Sequence, residues 1–247
     1  MLIIQKKFGI PIRKYYFSQP DSPGWADYLL PTAYMDCYSP TCPRFFQTEY
    51  RHTLLTDLTP EEERIFQHFS KDARSQIRRG EQDGRFSINM ATRLEDFIPL
   101  YNAFADSRGM SLFTVKDAEA IGTGQYCLFS SDYQGKPVIC HLYLVSPVTG
   151  TVNLLISASS LAYRDNEDMR RASGFANRCL HWQGMRHFKA HGYHTYDWGG
   201  YVQNASEPMM QGINRFKRTF NGKLTPIFNY YSPCYAFIEK LRHKLRR

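Results

Sequence analysis

Three short apolar runs joined by tight connections constrain the fold of this chain more than any other feature of its sequence. The runs cover residues 126–130, 137–145 and 151–158, and the segments between them are short and rich in Gly, Pro, Asp and Ser. This spacing predicts three strands that pair antiparallel as a meander. A polar loop over residues 159–173 follows, and then a long helical stretch from about Gly174 to His191.

The rest of the chain predicts further helices and strands around this meander. A capping box at Thr59 and Glu62 predicts a helix from residue 60 to about Gln82. Before the meander, the pattern of apolar residues predicts a strand over residues 85–91 and helices over 92–108 and 115–121. After the long helix it predicts a strand over 193–198, a helix over 209–220 and a last strand over 224–230. The order predicts a mixed α/β fold whose central, mostly antiparallel sheet is flanked by helices.

Composition narrows the class of protein. A hydrophobic fraction of 43% can build a core, and a net charge of +8 is typical of a chain that meets phosphate groups. The N-terminus lacks the order of a secretory signal, and no apolar run reaches membrane-spanning length, so we expect a cytoplasmic protein. The six scattered cysteines indicate free thiols, and we expect no metal site.

The chain divides into three parts by pattern. Residues 1–60 are rich in Pro, Tyr and Ser and predict an extension of short strands and turns before a main domain over residues 61–231. Residues 232–247 predict a basic amphipathic helix with an apolar stripe of Phe237, Ile238, Leu241 and Leu245. This stripe either docks on the protein's own sheet or contacts an anionic membrane, so a peripheral position at the inner membrane face stays open.

The order of elements is similar to that of the GNAT acyltransferases. In that family a Gln/Arg-x-x-Gly-x-Gly/Ala motif binds the cofactor pyrophosphate, and this chain has Arg171-Ala-Ser-Gly174-Phe-Ala176 at the start of its predicted long helix. The resemblance implies acyl-CoA as donor, with phosphates held by Arg170, Arg171, Gly174, Phe175 and Ala176. Small residues and helix N-terminal N–H groups suit a phosphate physically. The alternative is an ordinary helix turn with small residues for packing.

Three further motifs resemble the FemAB-like branch of that fold, which includes peptidoglycan bridge-forming aminoacyltransferases. They lie at residues 69–84, with Arg74, Arg78 and Arg79, at 196–200, which reads Tyr-Asp-Trp-Gly-Gly, and at 212–222, with Phe216 and Lys217. This resemblance implies aminoacyl-tRNA as donor and a lipid-linked acceptor. The chain departs from the branch in two ways. Residues 1–60 are too few for a second complete domain and could be a remnant of one, and Asn221 replaces a Gly.

The resemblance gives each candidate residue a role. Asp197 would accept the amine's proton and Lys217 would stabilise charge on the donor carbonyl, while the arginines of residues 69–84 and Tyr201 would bind substrate. For Asp197 and the arginines, a turn-stabilising carboxylate and a solvated helix face are the structural alternatives. We predict that Asp197 and Lys217 face one cleft. His141 is interpreted as a packed residue, and His181, His187, His191 and His194 as surface or capping residues.

The sequence therefore predicts an N-acyltransferase that moves an acyl group from acyl-CoA to an amine, such as an amino sugar or a cell-envelope precursor. Transfer would be direct, with the oxyanion held by backbone N–H groups of residues 151–158. One alternative is an aminoacyl-tRNA-dependent aminoacyltransferase. Another, of a different class, is a non-catalytic protein that binds nucleic acid or a membrane through its basic surface.

Overall fold

The computed structural model describes residues 1–7, 9–21, 23–161 and 165–245. Over these residues the chain forms ten strands and eight helices. The strands are β1 (Leu2–Lys7), β2 (Ile10–Tyr15), β3 (Thr32–Cys37), β4 (Gln47–Asp57), β5 (Phe86–Asn89), β6 (Tyr126–Tyr133), β7 (Lys136–Ser146), β8 (Thr151–Ser159), β9 (Thr195–Tyr201) and β10 (Lys223–Tyr231). The helices are α1 (Trp25–Leu29), α2 (Glu62–His68), α3 (Lys71–Gln82), α4 (Leu94–Asp106), α5 (Val115–Ile121), α6 (Glu167–Ala190), α7 (Pro208–Arg218) and α8 (Pro233–Leu245).

All ten strands belong to one sheet, in the order β1-β2-β3-β10-β4-β9-β8-β7-β6-β5. Two neighbouring pairs, β2–β3 and β8–β9, are parallel. The other pairs are antiparallel. The predicted meander is β6–β7–β8, and α6 is the long helix that crosses from β8 to β9. The predicted fold class, a mostly antiparallel sheet flanked by helices, is confirmed.

Two helix boundaries differ from the sequence prediction. The helix expected from residue 60 to Gln82 is two helices, because the chain turns at Phe69 and Ser70 caps α3 by accepting a hydrogen bond from the Ala73 N–H at 3.1 Å. The long helix α6 begins at Glu167 rather than near Gly174, and the Asn166 side chain caps it by accepting from the Met169 N–H at 3.0 Å. A side chain in the polar loop therefore starts α6 two turns earlier than expected.

Residues 1–60 are built into the same sheet as the rest of the chain. They supply four of the ten strands, and β4 lies in the middle of the sheet between β10 and β9. The boundary that composition suggested near residue 60 therefore does not separate two structural units. The physical reason is that β4 pairs with strands that follow it by 138 residues or more, which local patterns do not reveal.

The sheet buries a separate apolar core on each face. On one face, α2, α3 and α6 cover the central strands, with Phe69, Trp182 and Trp198 among the buried side chains. On the other face, α4 and α5 cover the meander, with Phe97 and Leu142 in the core. These two layers fix the strands that carry the candidate site.

The C-terminal helix α8 contacts α1 and β3 through part of its surface. Of the predicted apolar stripe, Ile238 is half-buried, whereas Phe237 and Leu241 are 61% and 45% exposed, so only part of the stripe is covered by the protein. Leu245, Arg246 and Arg247 lie outside the residues whose side chains are described. Among the described residues, no helix is both long enough and apolar enough to cross a membrane.

Candidate active site

The parallel strands β8 and β9 separate along their length and leave a wedge in the sheet. Their pairing runs only from Thr151 opposite Thr195 to Asn153 opposite Asp197. Beyond that point a cavity of about 500 Å³ lies between β8, β9, α6 and α7. Its lining is formed by Leu154, Leu155, Ser157, Asn177, His181, Trp198, Gly199, Gly200, Met209, Gly212, Ile213, Phe216 and Lys217.

Two glycines at the end of β9 shape this wedge. Gly199 has a φ of +67°, and a Cβ there would lie 2.6 Å from the Leu154 carbonyl oxygen. A Cβ at Gly200 would instead meet the end of the Arg51 side chain at 2.6 Å. Only Gly adopts the first position without strain, because it needs both a left-handed backbone and contact with a neighbouring carbonyl.

Lys217 reaches the same strand end from α7. Its ammonium donates to the carbonyl oxygens of Trp198, Gly199 and Gly200 at 2.7, 3.1 and 2.8 Å. Burial lowers the pKa of Lys217 to about 8, and Asp197 opposes this shift. The lysine holds the turn at the end of β9 and lines the cavity, so it combines a structural contact with a positive charge at the wedge.

Asp197 is buried and saturated with hydrogen bonds. It accepts from the Thr53 hydroxyl, from the Gly199 N–H at 2.8 Å and from the Tyr38 hydroxyl at 3.3 Å. Burial raises the pKa of the Asp197 carboxyl, whereas bonds from Thr53, Gly199 and Asn153 oppose the rise. This arrangement supports the structural alternative, in which the carboxylate holds the strand end in place.

Asp197 and Lys217 meet at one strand end but approach it from opposite faces of the sheet. Trp198 packs on α6 and α7 next to Phe216, and neighbouring strand residues point to opposite faces, so Asp197 points away from that layer. Gly199 connects them, since its N–H binds Asp197 and its carbonyl accepts from Lys217. Lys217 lines the cavity and Asp197 does not, which differs from the expected shared cleft.

The GNAT-like motif on α6 lies inside the helix rather than at its N-terminus. Gly174 and Ala176 come about two turns or more after Glu167, where N–H groups are bound within the helix. Ala176 is buried in the core, and Arg171 pairs with Glu167 at 3.0 Å. Phe175 lies under the guanidinium of Arg79. The helix-start geometry expected for phosphate at Gly174 and Ala176 is therefore wrong, while Arg170 is an exposed residue of the first turn.

The arginines of α3 lie on a face that opens to solvent. Together with Lys71, Ser75 and Gln82, the three arginines line a cavity of about 510 Å³. Arg74 also donates to the carbonyls of Gln67 and Phe69 at 2.6 and 2.7 Å, which binds α3 to the end of α2. Arg78 lies over the Phe66 ring. In the described part of the chain none of the three forms an ion pair, so this basic face is available to an anion.

Tyr201 lies on the other side of α7 from the wedge. Its ring is buried, and the guanidinium of Arg218 stacks over it at 5.3 Å. It lines an open cavity of about 630 Å³ together with Asn214, Arg215 and Arg218. The structure thus brings Lys217 and the glycines of β9 to the wedge, but it places Tyr201 and the α3 arginines outside it.

The sequence prediction missed two polar residues of the wedge, Asn177 and His181. His181 is 1% exposed and lines the cavity, which corrects its interpretation as a surface residue. His141 is packed in the core, as expected, and its ring lies 4.2 Å from that of His181. The only available signal was the spacing of Asn177 and His181, which places both on one helix face.

The described residues contain no group of His, Cys, Asp and Glu side chains that could hold a metal ion, and the six cysteines are free thiols. No family model matches the chain, and no curated protein matches it in sequence. Several solved structures match it in three dimensions. FemX has a TM-score of 0.63 at 13% identity and covers 96% of this chain and 85% of its own.

Two further solved structures belong to lysylphosphatidylglycerol synthetases. The C-terminal domain of a putative synthetase from Agrobacterium fabrum has a TM-score of 0.55 at 13% identity, with 82% of this chain and 68% of that chain covered. The structure of L-PGS from Bacillus licheniformis has a TM-score of 0.51 at 12% identity, again with 82% of this chain and 68% of that chain covered. The chain therefore shares its fold with FemX and with these synthetase structures.

Proposed function

We propose that this chain is an acyltransferase that moves an acyl or aminoacyl group from an activated donor to an amine. The observation that carries this proposal is the wedge between β8 and β9. There a cavity of about 500 Å³ meets the backbone of β8, the turn at Gly199 and Gly200, and the Lys217 ammonium. A donor carbonyl in the wedge would lie beside backbone groups that β9 no longer pairs.

The chemistry at such a site is a direct displacement. The amine nitrogen attacks the donor carbonyl carbon and forms a C–N bond, and the C–S bond of a thioester or the C–O bond of an ester then breaks. Backbone N–H groups of β8 stabilise the oxyanion, and the positive charge of Lys217 adds to the field at that point. The amine loses a proton, and the leaving thiolate or alkoxide takes one up to become a thiol or a hydroxyl. We assign Asp197 the task of holding the β9 turn.

Our first choice of donor is acyl-CoA. The GNAT-like fold and the exposed Arg170 and Arg171 in the first two turns of α6 support it. The acceptor that we propose is an amine-bearing small molecule, such as an amino sugar or a cell-envelope precursor. The resemblance to the FemAB-like branch supports the cell-envelope class of acceptor.

Aminoacyl-tRNA is the second candidate donor, and a specific observation favours it. Arg74, Arg78 and Arg79 form a basic face on α3 without ion-pair partners among the described residues. Phosphates of an RNA backbone would suit such a face, because arginine binds phosphate through two parallel hydrogen bonds. A lipid-linked acceptor would suit this second candidate, since the solved structures with a similar fold include a putative lysylphosphatidylglycerol synthetase.

A donor panel tests the proposal. The melting temperature of the protein is measured with acetyl-CoA, with longer acyl-CoAs and with charged tRNA, because a donor that binds the folded state raises it. A donor at 100 times its Kd stabilises the fold by about 2.7 kcal/mol. If no donor of either class raises the melting temperature, the proposed function is wrong.

Gly212→Leu tests whether the donor occupies the wedge. A Cβ at Gly212 meets open space, and the residue lines the cavity, so the leucine side chain would take up part of the space that a donor needs. The substitution also removes a glycine from a helix, which favours the fold by about 1 kcal/mol. We expect the variant to be at least as stable as the wild type and to lose its donor-induced shift in melting temperature.

Gly174→Leu is the matched control. Gly174 is likewise a helical glycine with open space at its Cβ, but it does not line the wedge. We expect the donor-induced shift to persist in this variant. Loss of the shift in Gly174→Leu alone would instead support the phosphate motif on α6 as the donor site, and persistence in both variants would contradict both assignments.

A further inference from the structure

A chain of buried hydrogen bonds runs beneath the wedge from one of its lining residues to another. The Oδ1 of Asn177 is 2.9 Å from the Nε2 of His141, and the Nδ1 of His141 is 2.8 Å from the Tyr143 hydroxyl. The Tyr196 hydroxyl donates to the Tyr143 hydroxyl at 3.1 Å, and the Nδ1 of His181 is 2.8 Å from the Tyr196 hydroxyl. Asn177 and His181 both line the cavity, one helical turn apart on α6.

Each bond in this chain sets the direction of the next. An amide oxygen only accepts, so the Nε2 of His141 carries a proton and its Nδ1 accepts from Tyr143. Tyr143 has then used its only proton and accepts from Tyr196, which in turn must accept from a protonated Nδ1 of His181. Two groups remain outside these bonds, the NH₂ group of Asn177, a donor, and the Nε2 lone pair of His181, an acceptor, and both residues line the cavity.

The same result holds when the Asn177 amide is rotated by half a turn. Every bond in the chain then reverses, Asn177 presents its oxygen, and His181 presents an N–H group. In either direction the pair offers the cavity one donor and one acceptor. Among the described residues, neither of these two remaining groups has a protein hydrogen-bond partner.

We propose that Asn177 and His181 form a subsite that binds an amide group of the ligand in the wedge. An amide carries an acceptor oxygen and a donor N–H in one rigid plane, so it satisfies both side chains at once, whereas a carboxylate lacks the donor and an ammonium lacks the acceptor. The inference rests on the proposed function, since it names the chemistry recognised at the same cavity. The pantetheine arm of CoA and a peptide acceptor are the two sources of such an amide.

Burial keeps this subsite uncharged, which suits a neutral ligand group. It lowers the pKa of His141 to about 4 and that of His181 well below 6.5, and Lys217 and Arg178 lower the latter further. Both histidines are therefore neutral at pH 7, as the alternating chain requires. Tyr143 and Tyr196 act as positioning residues, because they reach the ligand only through the histidines.

The chain of hydrogen bonds from Asn177 to His181 can be tested without a ligand. The two histidines must be neutral and must hold opposite tautomers, one protonated on Nδ1 and the other on Nε2. Long-range ¹H–¹⁵N spectra of histidine-labelled protein at pH 7 report the tautomer of each ring. The signals that disappear in His141→Gln, compared with the wild type, are assigned to His141. Two identical tautomers, or a charged ring at either position, would overturn the directional chain.

Binding measurements test the subsite itself. Calorimetry with acetyl-CoA and with the tripeptide Ala-Lys-Ala is carried out on wild type, Asn177→Asp, His181→Phe and Tyr196→Phe. Loss of one neutral hydrogen bond corresponds to about a fivefold change in Kd, so we expect at least that loss for the first two variants. Tyr196→Phe should weaken binding less and should release the tautomer of His181, which a purely structural role would not do.

Gln183→Glu is the matched control, because it makes the same amide-to-carboxylate change on α6, at a half-buried residue that donates to Glu81 and lies outside the wedge. We expect unchanged binding in this variant. The probe whose binding the Asn177 and His181 variants weaken identifies the source of the amide. Equal binding of a probe by wild type and these variants would overturn the subsite, and so would a wild type that binds neither probe. A donor-induced shift with charged tRNA would still support the proposed function in those cases.

Discussion

Gly199 is the residue at which the sheet and the candidate site meet. Its N–H holds the Asp197 carboxylate, its carbonyl accepts from Lys217, and its φ of +67° turns the end of β9 away from β8. A buried carboxylate and a half-buried ammonium are thus both hydrogen-bonded to the backbone of one residue. The residue needs to be glycine because a side chain would collide with the Leu154 carbonyl oxygen.

The two glycines of β9 should respond differently to substitution. Gly199→Ala places a Cβ 2.6 Å from a backbone oxygen in a left-handed conformation, so we expect a loss of about 1–3 kcal/mol in the free energy of unfolding. Gly200→Ala meets only the flexible end of Arg51 and should cost less. Urea denaturation of both variants measures the difference. Equal losses would mean that Gly199 is not the residue that forces the turn.

At the scale of single elements, β4 decides how the sheet is assembled. It pairs with β10 along nine residues, from Gln47 to Leu55, and with β9 on its other side. Thr53 of β4 also donates to Asp197, and Trp198 donates to Thr56 at 3.0 Å. Removal of β4 would leave two strands with unpaired backbone groups in the middle of the sheet, which is costly for buried N–H and C=O groups.

Truncations test this dependence on β4. A chain that begins at residue 58 lacks the strand, and we expect it to show no cooperative thermal unfolding by circular dichroism. A chain that begins at residue 32 lacks only β1, β2 and α1 at the sheet edge, so it should retain cooperative unfolding at a lower melting temperature. A stable, cooperative fold for residues 58–247 would show that the main domain is independent, as composition suggested.

At the scale of the whole molecule, α1 and α8 form an apolar surface beside the sheet. Trp25, Leu29, Phe237 and Leu241 are 78%, 65%, 61% and 45% exposed, and the two helices contact each other. The exposed Lys240 follows on α8. Apolar side chains next to basic ones are typical of surfaces that lie in the interface of an anionic membrane.

Vesicle co-sedimentation tests that surface. We expect the wild type to sediment with vesicles that contain an anionic lipid, and the Trp25→Ser/Phe237→Ser variant to sediment several-fold less, because burial of each apolar side chain contributes about 1.5–3 kcal/mol. Val148→Ser is the control, since Val148 is 97% exposed in the turn between β7 and β8. Equal partitioning of all three proteins would leave membrane contact without support.

The sequence by itself determined the features that depend on neighbours in the chain. Short apolar runs with turns between them predicted the β6–β7–β8 meander, and α5 was predicted at its observed bounds. The sequence motifs that contain Gly199 and Lys217 were expected at one site, and in the structure both residues lie at the end of β9. The spacing of apolar residues and the residue types of turns are local properties, so the strands and helices that they specify can be predicted from short segments. The predicted start of α6 was wrong because the helix begins after Asn166, within a polar segment that has no apolar periodicity.

Only the tertiary structure decided where these elements meet. Thr53 and Asp197 are separated by 144 residues, and no periodicity connects them, yet their contact fixes β4 beside β9. The wedge exists because two parallel strands stop pairing, and His181 is buried because α6 crosses β7 and β9 there. Pairing between distant segments depends on the packing of the whole sheet, and so do the burial and hydrogen bonding of the side chains that form the candidate site.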